Sequence, residues 1–242
     1  MHSNEILKLF IIAIFITACS SSNSPSSPVE KIKNVYPQNI DSGRFVDTRD
    51  GQSYKTVKIG NQNWMAENLN YDTLNKHGSW CYNDSNIYCH IYGRYYTWSA
   101  AMALDSIYNS TRWTPDFPHQ GVCPNGWHVP TDSEWHILIQ FTDSLNSGKI
   151  LKGNDDLWRD NTGTDYYGFN LLPAGGGDHF AFPKIRFVGT GDFVSILTAS
   201  QYTEPDGIST GEHTRDFYYN YNSSLGSPGY GSDFNTLRCL EN

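Results

Sequence analysis

Hydrophobic positions follow three different spacings along this chain. Leu9 to Ala18 form one unbroken apolar run, Leu-Phe-Ile-Ile-Ala-Ile-Phe-Ile-Thr-Ala. The clearest helical spacing is at Trp135, Leu138 and Ile139, an i, i+3, i+4 pattern that gives one apolar face. Thr131 stands where its hydroxyl can cap that helix, and Glu134, three residues on, can reach back to the Thr131 N–H. Asp132 and Glu134 also suit the positive end of the helix dipole. This helix is expected to be the central buried element. Tyr95–Leu104 predicts a second helix, with Tyr95, Trp98, Ala101 and Met102 on one side, and Leu145–Gly153 a short third one.

Alternation marks the strands. Phe45-Val-Asp-Thr48 and Tyr54-Lys-Thr-Val-Lys-Ile59 flank Asp50-Gly51, the pair that favours a primed hairpin turn. In the second of these strands Tyr54, Thr56 and Lys58 alternate with Lys55, Val57 and Ile59, so its two faces are only partly distinguished. Gln62–Leu69 follows as a third extended segment. From Gly168 onward the apolar runs are short and broken by glycine, with strands expected at Phe169–Leu172, Phe193–Thr198, Asp216–Asn220 and Phe234–Leu240. Gly175-Gly-Gly177 reads as a turn. No tandem repeat is visible.

Composition narrows the class. The chain has 242 residues, 38% of them hydrophobic, which suffices for one good core. Aromatics at 14%, with 16 Tyr, 7 Trp and 21 Gly, favour a loop-rich α+β fold over a helical bundle. A formal charge of −8 with no basic stripe argues against nucleic acid and against adhesion to anionic lipid.

The Leu9–Ala18 run is half the length of about 20 residues that a spanning helix needs, but it suits the core of a secretory signal. Ala18 before Cys19, followed by Ser20-Ser21-Ser22, resembles the lipobox of bacterial lipoproteins. That resemblance implies a signal peptide over 1–18 and a lipid on Cys19. Residues 19–43 then form a Ser/Asn/Pro-rich tether and 44–242 the folded domain. The protein is expected to be exported and anchored to the bacterial outer membrane, exposed at the surface.

Of five cysteines, four remain once Cys19 is lipidated, and an even number in an exported protein favours disulfides. Three pairings are open. The closeness of Cys81 and Cys89 selects Cys81–Cys89 with Cys123–Cys239. Cys-x7-Cys matches no zinc spacing.

Several segments resemble the Fibrobacter succinogenes major paralogous domain. They are Asp50–Asn70, Tyr92–Met102, Cys123-Pro-Asn-Gly-Trp-His-Val-Pro-Thr-Asp-Ser-Glu-Trp135, Gly168–Gly175 and Leu237-Arg-Cys-Leu240. The likeness spans roughly residues 44–242 in the family's order. It implies a surface location more than a chemistry. The chain also resembles, distantly, the C-type-lectin-like fold in its formylglycine-generating-enzyme variety. Val129-Pro-Thr-Asp-Ser-Glu-Trp135 is similar to that group's helix start, and Thr236-Leu-Arg238 to its ending. The implied fold is two helices packed on short antiparallel sheets and stapled by disulfides.

Candidate chemistry is thin. Formylglycine-generating enzymes use two reactive cysteines near the C-terminus, where this chain has only Cys239, already assigned to a disulfide. His128, Asp132, Glu134 and His136 cluster at a helix start, where capping and solvent exposure explain them. Asp178-His179 could form an acid–base pair, although a surface loop explains it too. Gly175–Gly177 lacks the Gly-Lys-Ser/Thr of a phosphate loop. Lectin-like folds often hold calcium, so calcium is the one cofactor raised. Its candidate oxygen ligands are Asp192, Glu204, Asp206 and Asp233, with Glu204-Pro205-Asp206 resembling a lectin triplet and also an ordinary turn. Surplus rings at Trp158, Tyr166, Tyr167, Tyr218 and Tyr219 are candidates for stacking on a sugar or peptide. The expected function is non-enzymatic binding or adhesion toward a polysaccharide or another surface protein. The alternatives are a formylglycine-generating or metal-dependent enzyme and a purely structural envelope protein.

Overall fold

A computed structural model describes residues 40–242, apart from 74–77, 115, 161, 182–183, 204, 206–209 and 230–232. The expected signal peptide, Cys19 and nearly all of the tether lie outside the described residues. Among those described, no helix is long and apolar enough to cross a membrane.

The chain opens as a three-stranded meander. Strands β1 (Ser42–Val46) and β2 (Ser53–Ile59) pair antiparallel, and β3 (Gln62–Met65) pairs with β2 across a turn at Gly60. The hairpin falls where the alternation places it, but the primed turn does not form. Of Asp50-Gly51 only Gly51 is left-handed (φ 78), whereas a type I′ turn needs both. The reason is Asp47, which is buried and accepts the Arg49 backbone N–H at 3.0 Å and its guanidinium at 2.7 Å. That pair folds Asp47–Gln52 into a longer loop.

The expected helix at Tyr95–Leu104 is shorter than its periodicity suggests. Tyr95–Tyr96 form strand β5, and only Trp98–Ala101 are helical (α2), capped by Thr97. Pairing with β4 (Ser79–Trp80) and β12 (Asn235–Thr236) overrides the local pattern. Helix α1 (Asn86–Tyr92) starts inside the Cys81–Cys89 loop and runs three residues past it. The central helix α3 (Asp132–Phe141) carries both halves of the expected capping box and buries Trp135, Leu138 and Ile139. Helix α4 (Ser147–Leu151) follows.

Early and late strands of the described chain meet in each large sheet. Strand β13 (Leu240–Glu241) inserts between β3 and β6 (Trp127–His128), closing a five-stranded antiparallel sheet ordered β1-β2-β3-β13-β6. The second sheet joins β11 (Leu225–Pro228), β10 (Thr210–Tyr218), β9 (Phe193–Thr203), β12, β5 and β4 in that order, with β12 parallel to β9. A hairpin of β7 (Gly176–Ala181) and β8 (Lys184–Val188) stands beside it. Gly175–Gly177 is therefore not a turn but the entry to β7. A side chain at Gly175 (φ +71) would sit 2.1 Å from the Val188 carbonyl oxygen, so close backbone approach explains the glycine.

Both faces of the sheets are covered. Val57, Ile59, Trp64, Leu240, Val194 and Ile196 belong to one core cluster, and Tyr54, Met65, Cys239, Leu197 and Ala199 to the other. This explains why the two faces of β2 were hard to tell apart. Trp64, Trp135 and Phe169 form the aromatic centre, with ring centroids 4.6 to 6.0 Å apart. Disulfides Cys81–Cys89 and Cys123–Cys239 are both formed, as their spacing in sequence led us to expect.

Candidate functional site

Two adjoining hollows, of about 500 and 280 Å³, share Gln52, Asn70, Cys89 and His90 and make one groove. Its walls come from the start of β2, the segment after β3, helix α1 and the Phe169–Leu172 segment. Five amide side chains line it: Gln52, Asn68, Asn70, Asn86 and Asn170. Gln52, Asn68 and Asn70 are held before any ligand arrives, Asn68 by donating to the Tyr92 carbonyl at 2.9 Å. Gln52 donates to the Asp50 carboxylate at 2.6 Å and the Asn70 carbonyl at 2.7 Å, while Asn70 donates back to Gln52 Oε1 at 2.8 Å. The Asn70 backbone N–H donates to the Tyr54 hydroxyl at 3.1 Å. The Cys81–Cys89 disulfide fixes α1 as one wall.

Charges along the groove are mutually balanced. Arg94 pairs with Asp72 at 2.5 Å, and the Arg49 guanidinium lies 3.8 Å over the Tyr71 ring while holding Asp47. The floor is Arg238, which is 1% exposed. It donates to Asn68 Oδ1 through Nε at 3.1 Å and Nη2 at 2.9 Å, and to the carbonyls of Phe169 and Asn170. Its plane sits 4.4 Å over the Phe169 ring. Burial pulls its pKa down, and the charges of Asp165 and Glu67 oppose that.

Burial also pushes the Asp165 carboxyl up to about 6, against a hydrogen bond from the Asn170 N–H and the Arg238 charge. A carboxyl raised on folding binds more protons in the native state. Its stabilising contribution is complete below about pH 4 and is lost as pH rises through about 6. A rise of this size is worth up to about 3 kcal/mol, less what solvent screening removes at a half-buried site. Asp165→Asn is expected to flatten the fall in stability between pH 4 and 6. Denaturant titrations across that window check it, and an unchanged slope would assign the pH dependence elsewhere.

The rings singled out from sequence fall in different settings. Trp158 is not a surface ring, and that expectation is corrected: it is 2% exposed, and its N–H donates to the Leu171 carbonyl at 2.9 Å. It packs by the buried Lys152, whose ammonium donates to the carbonyls of Tyr218, Tyr219 and Tyr221 at 3.0 to 3.1 Å. Tyr218 and Tyr219 thus serve Lys152 through their backbone, while their half-buried rings meet Phe193 and Arg159. Tyr166 and Tyr167 stand edge to face at 4.8 Å, and Tyr167 contacts the exposed Phe141.

Of the calcium candidates, Glu204 and Asp206 lie outside the described residues. Asp192 is paired with Arg159 at 2.7 Å, and Asp233 borders a separate acidic cleft. Among the described residues no three His, Cys, Asp or Glu side chains are grouped as for a metal ion. The cluster at the α3 start does structural work. His128 is buried between Asn242 Oδ1 at 2.7 Å and Glu134 Oε1 at 3.0 Å, and Asp132 pairs with His213 and Arg215. Burial resists ionisation of Glu134, but hydrogen bonds from His128 and Thr131 hold its carboxyl below the ordinary range. His136 points to solvent. Asp178 pairs with Arg186 at 2.6 Å across β7–β8; of His179 only the backbone is described.

The groove was not legible as a site. Gln52, Asn68, Asn70, Asn170 and Arg238 all lie in segments that carry the family likeness. The available signal was amide content, with Gln52, Asn68 and Asn70 in one stretch and Asn170 in another a hundred residues on.

In class, this is a mixed α+β domain with several antiparallel sheets, few helices and two disulfides. A family model described as the Fibrobacter succinogenes major domain matches residues 57–240, and the chain belongs to that family. No curated protein and no solved structure matches it.

Proposed function

We propose that this chain is a lipid-anchored protein of the bacterial surface whose domain binds a polysaccharide, without turnover, in the amide-lined groove. The observation that carries this reading is the groove's lining. A site of about 500 Å³ is large enough for a ligand, yet it is walled by amides and internally balanced charges rather than apolar rings. An amide-rich lining suits a neutral, polyhydroxylated ligand, because the amide N–H and C=O positions not committed internally, as on Asn70 and Asn170, can meet neighbouring hydroxyls. The anchor rests on the apolar run Leu9–Ala18 and Cys19. A C-type-lectin-like fold of the formylglycine-generating variety is supported by the capped α3 and by the disulfide joining its approach to the chain's end.

The thiol-dependent enzyme reading requires a free cysteine pair, whereas Cys81, Cys89, Cys123 and Cys239 are all disulfide-bonded. Another surface protein as ligand is favoured by one observation. Ile137, Phe141 and Leu145 are 56, 54 and 77% exposed at and just beyond the outer face of α3, an apolar stripe of the kind that marks interfaces.

Glycan-array screening followed by calorimetry tests the main reading. Saturable binding to a neutral polysaccharide is expected, weakened at least tenfold by Gln52→Ala and by His90→Ala, with little change in melting temperature. Absence of binding across the array, or binding indifferent to both substitutions, would move the function off the groove.

A further inference from the structure

A separate cleft of about 190 Å³ lies among β7, β9, β10 and β11. Its lining includes the carboxylates of Asp178, Glu212, Asp216 and Asp233, with Thr214, Asn235 and Phe193, and no Lys, Arg or His among the described residues. Asp178 is engaged by Arg186 at 2.6 Å, and Asp216 accepts the Thr214 hydroxyl at 2.9 Å. Glu212 is different. It is 0% exposed, its Oε1 accepts from Asn235 Nδ2 at 2.9 Å, and its Oε2 is buried with no hydrogen-bond partner. The backbone closes tightly on it, since a side chain at Gly229 would sit 2.7 Å from Glu212 Oε1.

A buried acceptor without a donor costs about 1–3 kcal/mol, and more if charged. Methionine would fill much the same volume without an unpartnered oxygen there. An acid kept in such a place makes sense if its partner comes from outside. The partner is a cation, since every ionisable group among the described residues of the lining is an acid. The carboxylates are not grouped as a metal cage, which favours a cation that brings its own N–H donors. The space is small, which favours a compact ammonium with three donors over a planar guanidinium. The Phe193 ring in the lining adds attraction for a cation.

We propose that this cleft binds a primary ammonium group, of the kind carried by a lysine side chain or an amino sugar, with Glu212 Oε2 as its buried acceptor. Asp216 in the lining supplies further negative charge. Burial first, and then the charge of Asp233, hold the Glu212 carboxyl well above its ordinary range. In the empty cleft the Glu212 carboxyl therefore keeps its proton to higher pH than an ordinary glutamate does. When the ammonium enters, that proton leaves to solvent and the carboxylate takes up an N–H of the ligand. Binding thus releases a proton and tightens as pH rises.

Titration calorimetry on the full chain tests this, with Nα-acetyl-lysine amide and glucosamine as probes. N-acetylglucosamine and calcium chloride serve as controls, and each titration is run in two buffers of different ionisation heat. Saturation by the lysine derivative alone identifies a peptide ligand, and saturation by glucosamine alone identifies an amino sugar. Either must come with net proton release and be weakened at least tenfold in Glu212→Gln. The proton count is read on the wild-type chain, so it stands even if the variant does not fold. Saturation by neither amine, whether or not calcium binds, absence of proton release, or undiminished binding in Glu212→Gln would each overturn the assignment.

Discussion

Replacing Cys123 and Cys239 together by alanine is expected to cost about 4–5 kcal/mol of stability, the largest loss from any pair of substitutions proposed for this domain. The bridge closes a loop of 116 residues, and in the chain-entropy account a loop near that length restricts the unfolded chain by about 4.7 kcal/mol. Cys81–Cys89 closes only 8 residues, for which the same relation gives about 2.5 kcal/mol. The difference should be visible as an ordering. At about 2–4 °C per kcal/mol for a domain of this size, the long bridge is worth about 10–20 °C of melting temperature. Both of its sulfurs are fully buried in the second core cluster, so alanine also leaves a small void. Thermal and denaturant unfolding of the two double variants, without reductant, decide the matter. Equal losses would mean that the unfolded chain is already held compact and that entropy is not the main term.

The same bridge shows what local sequence can and cannot reveal. Four cysteines admit few pairings, and closeness in the chain sufficed to choose between them. Helix α3 was legible because its start signal is local: Thr131 and Glu134 satisfy one another across a single turn. The second expected helix failed because Tyr95 and Tyr96 respond to partners more than a hundred residues away, at Asn235 and Thr236. The primed turn failed because a side chain, Asp47, took over the loop. Trp158 was misplaced because an aromatic surplus counts rings without saying which of them the core takes. The groove is the extreme case. Gln52, Asn68, His90, Asn170 and Arg238 acquire common meaning only once β13 has threaded between β3 and β6 and brought Arg238 beside the segment after β3.

Arg238 is where that threading is locked, and Arg238→Met is expected to cost about 3–5 kcal/mol. The guanidinium spans three acceptors: Asn68 Oδ1 after β3, and the carbonyls of Phe169 and Asn170. Methionine fills much of the volume but leaves the Asn68 and Phe169 oxygens buried without a donor, each at about 1–3 kcal/mol. It also removes the positive charge that offsets Asp165. Lysine at the same position keeps the charge but presents a point ammonium that cannot match the fork or lie over the Phe169 ring. Arg238→Lys should therefore fall between wild type and Arg238→Met. Because Arg238 is the floor on which the Asn68 amide rests, both variants should lose groove binding out of proportion to their loss of stability. Denaturant unfolding paired with glycan titration at a temperature where all three proteins are folded separates the two effects. If Arg238→Met binds as tightly as wild type while folded, the floor is structural and the ligand contacts only the rim at Gln52, Asn70 and His90.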